Sequence, residues 1–86
     1  MKTRLPQVVL YTRAGCHLCQ DAEAVLVRAR TQLPFELRLV DIDADPGLAD
    51  RYGVRVPVVA IDGVEHFEYE VPPDLLLNLL RSASFA

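Results

Sequence analysis

The chain has 86 residues, about half of them hydrophobic, and a formal net charge of −3. That balance lacks the basic face that nucleic acid or an anionic membrane surface requires. No apolar run approaches the roughly 18 residues of a membrane span, and the length suits one small domain over residues 1–86.

Leu5 to Thr12 is a nearly continuous apolar run with β-branched and aromatic members, which predicts a strand buried on both faces. Arg13-Ala14-Gly15 reads as a turn. Leu18 to Ala29 then shows helical periodicity, with Leu18, Ala22, Val25, Leu26 and Ala29 on one stripe. Asp21 and Glu23 near its start, and Arg28 and Arg30 near its end, suit the helix dipole. Pro34 forbids extension. Phe35 to Ile42 alternates, with Phe35, Leu37 and Leu39 toward one face and Glu36 and Arg38 toward the other, as in a half-exposed strand. Strand, helix and strand in this order predict a parallel pair with a right-handed crossover.

Asp45-Pro46 reads as a helix cap followed by proline at the first helical position, opening a short helix to about Tyr52 that Gly53 ends. Val58 to Ile61 is a third strand, Asp62-Gly63 a tight hairpin turn, and His66 to Val71 a fourth strand. Pro72-Pro73-Asp74 starts a last helix, with Leu75, Leu76, Leu79 and Leu80 on its buried side and fraying over its final residues. The order is β-α-β-α-β-β-α: a mixed sheet with helices packed on it, without linker or repeat.

The only cysteines are in Cys16-His17-Leu18-Cys19, at the turn from the first strand into the first helix. A helix N-terminus offers partial positive charge and unpaired N–H groups, which stabilise a thiolate. Thiol–disulfide exchange needs an exposed attacking thiol and a second thiol close enough to resolve the mixed disulfide. Cys16, at the helix entry, is the expected nucleophile. Cys19, one turn in and less exposed, is the expected resolving thiol. As a staple, one pair closing so small a loop stabilises little, and secreted disulfide domains carry several bridges. In a reducing compartment such a pair reads as catalytic or metal-binding, and the chain is read as cytoplasmic. Lys2 and Arg4 imitate the basic start of a signal peptide, but Pro6 and Gln7 interrupt the apolar run and no small-residue cleavage site follows.

Competing readings of the pair are an inert structural pair and a zinc site. A closed zinc site needs four ligands, and only His17 and His66 stand beside the cysteines as candidates of the usual nitrogen and sulfur types. No metal site is assigned. His17 either favours the Cys16 thiolate as a cation or is a solvated side chain. Asp41-Ile42-Asp43-Ala44-Asp45 imitates the start of a calcium loop. Pro46 replaces the required glycine and Tyr52 the required glutamate, so these acids are read as solvating a strand end and capping a helix.

Tyr11-Thr12-Arg13-x-x-Cys16-x-x-Cys19, with the element order, resembles the glutaredoxin-like branch of the thioredoxin superfamily over essentially the whole chain. Arg55-Val56-Pro57 looks like that family's Thr-Val-Pro segment. The resemblance implies an α/β, thioredoxin-like (glutaredoxin-type) fold: a four-stranded mixed sheet with helices on both faces. It implies a cis Val56–Pro57 bond facing the dithiol, with Val56 offering its backbone to substrate; a trans proline opening an edge strand is the other reading. Tyr11 also matches the family pattern. Arg13 stands where many glutaredoxins hold a glutathione carboxylate, or else is a solvated turn residue.

The chain departs from the family in three places. Arg55 replaces the threonine, the inner pair of the motif is His-Leu rather than Pro-Tyr, and the Gly-Gly-x-Asp segment that grips glutathione is missing. Asp74, near the start of the last helix, is a candidate to replace the missing carboxylate but is not assigned to the site. Thioredoxin itself fits less well, since the chain has no tryptophan.

The expected activity is that of a small thiol–disulfide oxidoreductase with Cys16 and Cys19 catalytic, and with Tyr11, Arg13, His17, Val56 and Pro57 binding substrate. Its substrates would be disulfide-containing proteins or glutathione mixed disulfides, with a reductase or glutathione supplying electrons. Glutathione is a co-substrate in that scheme, no cofactor is bound, and the protein is monomeric. The alternative is a thioredoxin-fold adaptor or a metal carrier without exchange activity.

Overall fold

A computed structural model describes residues 4–84. The expectations for Lys2 and for the end of the chain beyond Ser84 lie outside them. The elements are β1 (Gln7–Thr12), α1 (His17–Arg30), β2 (Glu36–Asp41), a 3-10 turn (Ile42–Ala44), α2 (Pro46–Tyr52), β3 (Val58–Ile61), β4 (Val64–Glu68) and α3 (Pro73–Ser84). The four strands form one sheet in the order β2-β1-β3-β4. β1 runs parallel to β2 and antiparallel to β3, and β3 is antiparallel to β4. This is the order and the mixed sheet that the sequence implies.

Alternation along the central strands feeds two cores, one on each face. Val8 and Leu10 of β1, with Val59 and Ile61 of β3, pack against Ala22, Leu26 and Ala29 of α1 and Leu76 and Leu80 of α3. On the opposite face Ile42, Tyr52 and Val58 pack with Tyr11, Leu48 and Val56. Leu10, Leu26, Leu76 and Leu80 are at most 1% exposed, each worth roughly 1.5–3 kcal/mol of burial.

Local signals act as read at several joints. The Asp45 carboxylate accepts from the Gly47 N–H at 2.8 Å and caps α2, with Pro46 in its first turn. Asp62 and Gly63 both take positive φ, 50° and 86°, as a type I′ hairpin turn demands. The Asp62 carboxylate also accepts from the Gln7 N–H at 2.9 Å.

Other expectations need correction. β1 begins at Gln7 rather than Leu5. β4 begins at Val64, because a two-residue turn lets pairing resume at once: Val64 faces Ile61. It ends at Glu68, because Tyr69 turns to φ 64° and leaves the sheet. His66 to Val71 is therefore not the strand. Leu18 does not join the buried stripe of α1, which runs through Cys19, Ala22, Leu26 and Ala29 and leaves Leu18 on its flank, 47% exposed. Leu39 is exposed because β2 is an edge strand with a neighbour on one side only. On α3, Leu75 is exposed, and Leu77 packs against the core beside Leu79.

Candidate active site

The register gathers the sequence-predicted residues at one end of the sheet. Thr12 is level with Asp41, Tyr11 with Val58, and Val58 with Glu68. At this end β1 leaves for Cys16, and the chain enters β3 through Pro57. The Val56–Pro57 bond is cis, and Pro57 is buried.

Cys16 is the N-cap of α1, with extended backbone (φ −90°, ψ 110°). Its Sγ accepts from the Cys19 N–H at 3.1 Å, and its carbonyl starts the helix by accepting from the Gln20 N–H at 3.1 Å. The sulfur thus occupies the place of a capping side-chain oxygen, where an N–H of the first turn is directed at it. Cys16 and Cys19 are joined in a disulfide, with Cα atoms 5.2 Å apart. Cys16 is half-buried, whereas Cys19 is only 1% exposed. The pair thus presents one sulfur outward and one inward.

His17 extends into solvent and lies 4.0 Å from the Asp21 carboxylate, one turn on. Arg13 is engaged. Its guanidinium donates to both Asp43 carboxylate oxygens, at 2.6 and 3.2 Å, and to the Gly53 carbonyl at 3.0 Å. That contact holds the Asp43 carboxyl below its ordinary value, chiefly by hydrogen bonding, and raises the guanidinium. The acids that imitated a calcium loop are accounted for: Asp41 accepts from the Asp43 N–H, Asp43 binds Arg13, and Asp45 caps α2. Among the described residues no group of three His, Cys, Asp or Glu side chains is placed to hold a metal ion.

Tyr11 stacks on Tyr52, with ring centroids 4.1 Å apart and planes 16° from parallel. The Tyr52 hydroxyl donates to Glu65 at 3.1 Å, and the guanidinium groups of Arg51 and Arg55 each lie 5.4 Å from its ring centre. Burial first, then Tyr11 and Glu65, push the Tyr52 phenol up to about 12. Arg55 donates to Glu65 and Glu68, which ties the segment before Pro57 to β4. These contacts span 10 to 13 residues and carry no local sequence signal.

Val56 donates its own N–H to the Tyr52 carbonyl at 3.0 Å, which leaves its carbonyl as the group it can turn to a partner strand. Tyr69, which sequence reasoning placed only as a strand residue, straps this segment. Its N–H donates to the Pro57 carbonyl and its hydroxyl to the Val54 carbonyl, both at 2.9 Å. A bulky residue at positive φ is the one signal of such a role, and it is visible only in the structure.

A thioredoxin-type sheet with a Cys-x-x-Cys pair closed as a disulfide at the start of its first helix supports thiol–disulfide exchange as the chemistry of this site. These features define a glutaredoxin-like protein of the thioredoxin superfamily. The chain belongs to the family described as Glutaredoxin-like domain (DUF836), whose model matches residues 7–81. It is 41% identical over 85 residues to the uncharacterized protein Rv0508 of Mycobacterium tuberculosis, covering 93% of this chain and 88% of that one. The solution structure of protein Ne2328 from Nitrosomonas europaea is similar, with a TM-score of 0.78 and 30% identity over 93% of this chain and 96% of that one. A thioredoxin variant from Halobacterium salinarum matches with a TM-score of 0.71 and 27% identity, covering 94% of this chain and 76% of that one.

Proposed function

We propose that the protein is a dithiol–disulfide oxidoreductase of the cytoplasm, acting as a monomer on protein disulfides or glutathione mixed disulfides. The observation that carries this reading is the asymmetry of the pair: Cys16 caps α1 and reaches the surface, while Cys19 is buried behind it. In the reduced protein the Cys16 thiolate attacks one sulfur of a substrate disulfide. A Cys16–substrate disulfide forms, and the other substrate sulfur leaves as a thiolate and takes a proton. The Cys19 thiolate then attacks Cys16, closes the intramolecular disulfide and releases the second substrate thiol. The substrate gains two electrons and the protein dithiol loses two, and a thiol such as glutathione or a dithiol reductase returns them. Val56 and Pro57 flank the reacting sulfur and present the Val56 carbonyl to the substrate backbone. Tyr11 and Arg13 hold the walls of this end through Tyr52 and Asp43.

The test is reduction of a peptide disulfide by the purified protein, with dithiothreitol recycling it. Cys16→Ser is expected to abolish turnover, and Cys19→Ser to accumulate a mixed disulfide visible by mass spectrometry. Turnover that persists in Cys16→Ser, or a Cys19→Ser protein that traps nothing, would overturn the assigned roles.

A further inference from the structure

Beside the dithiol runs a groove of about 520 Å³, lined by Leu18, Asp21, Val25, Tyr69, Glu70 and Pro73 among others. It begins inside the Cys-x-x-Cys motif, at Leu18, and ends where Tyr69 straps the Pro57 segment. Its apolar contacts are available: Leu18 is 47% and Tyr69 48% exposed. Its charge is of one sign. Asp21 and Glu70 line it, and no arginine or lysine does.

Arg13 is paired with Asp43, Arg51 with Glu65, and Arg55 with Glu65 and Glu68; Arg28 lines the adjoining cavity, which shares Val25 and Pro73 with the groove, and is not among the groove's own lining residues. Glu70 makes no ion pair among the described residues, and Asp21 has only the His17 ring at 4.0 Å.

Resting on the exchange reading above, we propose that this groove selects the substrate by charge. Its occupant is a polypeptide segment carrying lysine or arginine beside the reacting cysteine, with an apolar residue to cover Leu18 and Tyr69. Glutathione, whose two carboxylates outnumber its one ammonium, is the poorer occupant. An attractive rim acts mainly by raising the encounter rate and fixing register, and salt weakens it.

The experiment uses three peptides that differ only in the residues flanking one cysteine (lysine, glutamine or glutamate), each presented as its disulfide-linked dimer. Rates of reduction by the protein are divided by the rate with dithiothreitol alone, which removes the intrinsic effect of flanking charge on a disulfide. The expected order is lysine, glutamine, glutamate, with kcat/KM for lysine roughly tenfold above glutamate at low salt. The ratio is expected to fall toward unity in about 0.5 M salt and in Asp21→Asn/Glu70→Gln, both exposed positions that leave the core intact. Equal normalised rates for the three peptides would overturn the charge selection while exchange itself stood. A preference that survived both salt and the double substitution would overturn it as well. No acceleration of any peptide over dithiothreitol would overturn the exchange reading and this one together.

Discussion

Arg13 and Asp43, thirty residues apart in the chain, are joined by two hydrogen bonds of 2.6 and 3.2 Å between guanidinium and carboxylate. The pair links the turn after β1 to the 3-10 turn after β2, and the Gly53 carbonyl brings in the end of α2. One side chain thus ties together three segments at this end of the sheet. Asp43 is held below its ordinary value of 3.8. A carboxylate so depressed stabilises the fold fully above that ordinary value, and the contribution disappears as pH falls through the lowered one. Thermal melts should therefore show wild type above Asp43→Asn near pH 7, with the gap closing as pH falls below the ordinary value of 3.8. A gap independent of pH would show that the ion pair is not its source.

Tyr52 gives the opposite pH dependence at the alkaline end. Its phenol is raised from 10.0 to about 12 by burial and by its neighbours. The neutral phenol's contribution is complete below pH 10 and is lost as pH rises toward 12, an effect of the order of 2 kcal/mol. Tyr52→Phe should start less stable, because it leaves Glu65 without that donor. It should then lose less stability than wild type between those pH values. Denaturant titrations at three alkaline pH values would check this.

Leu26 is fully buried between α1 and the sheet. Leu26→Ala should cost about 2–5 kcal/mol through lost burial and the cavity left behind. For a domain whose total stability is about 5–15 kcal/mol that is a large share, and equilibrium urea unfolding would measure it. A loss under about 1 kcal/mol would mean that the core closes over the gap.

Gly63 sits at φ 86° in the β3–β4 turn, with nothing within 4 Å of an added Cβ. The penalty of Gly63→Ala is thus conformational rather than steric against neighbours. About 1–2 kcal/mol of stability should be lost, with the exchange rate per folded molecule unchanged because the turn lies at the opposite end of the strands from Cys16.

Much of this molecule was legible in its sequence because its signals are local. Asp45-Pro46 starts a helix, Asp62-Gly63 makes a hairpin, and Cys16 caps a helix, each through contacts within a few residues. The resemblance carried the cis Val56–Pro57 bond, which no local rule would have chosen. What escaped was set by distance in the chain. Nothing near Arg13 announces Asp43, and nothing near Arg55 announces Glu65 and Glu68. Apolar periodicity misplaced Leu18, Leu39 and Leu75 because it reports which residues can be buried, whereas the edge of the sheet and the phase of each helix decide which are. Tyr69 looked like another strand residue until its positive φ took it out of the sheet and turned it toward the Val54 and Pro57 carbonyls.

The sulfur of Cys16 is half of the disulfide and also accepts an N–H of the first turn of α1. Folding and reduction therefore share the corners of one thermodynamic cycle: whatever the fold adds to the dithiol form over the disulfide form must reappear as a shift in potential away from that of the unfolded peptide. Melting the two redox forms side by side would read that shift without any partner. A dithiol form gaining more from folding marks an oxidant, a disulfide form gaining more marks a reductant, and about 1.4 kcal/mol corresponds to about 30 mV.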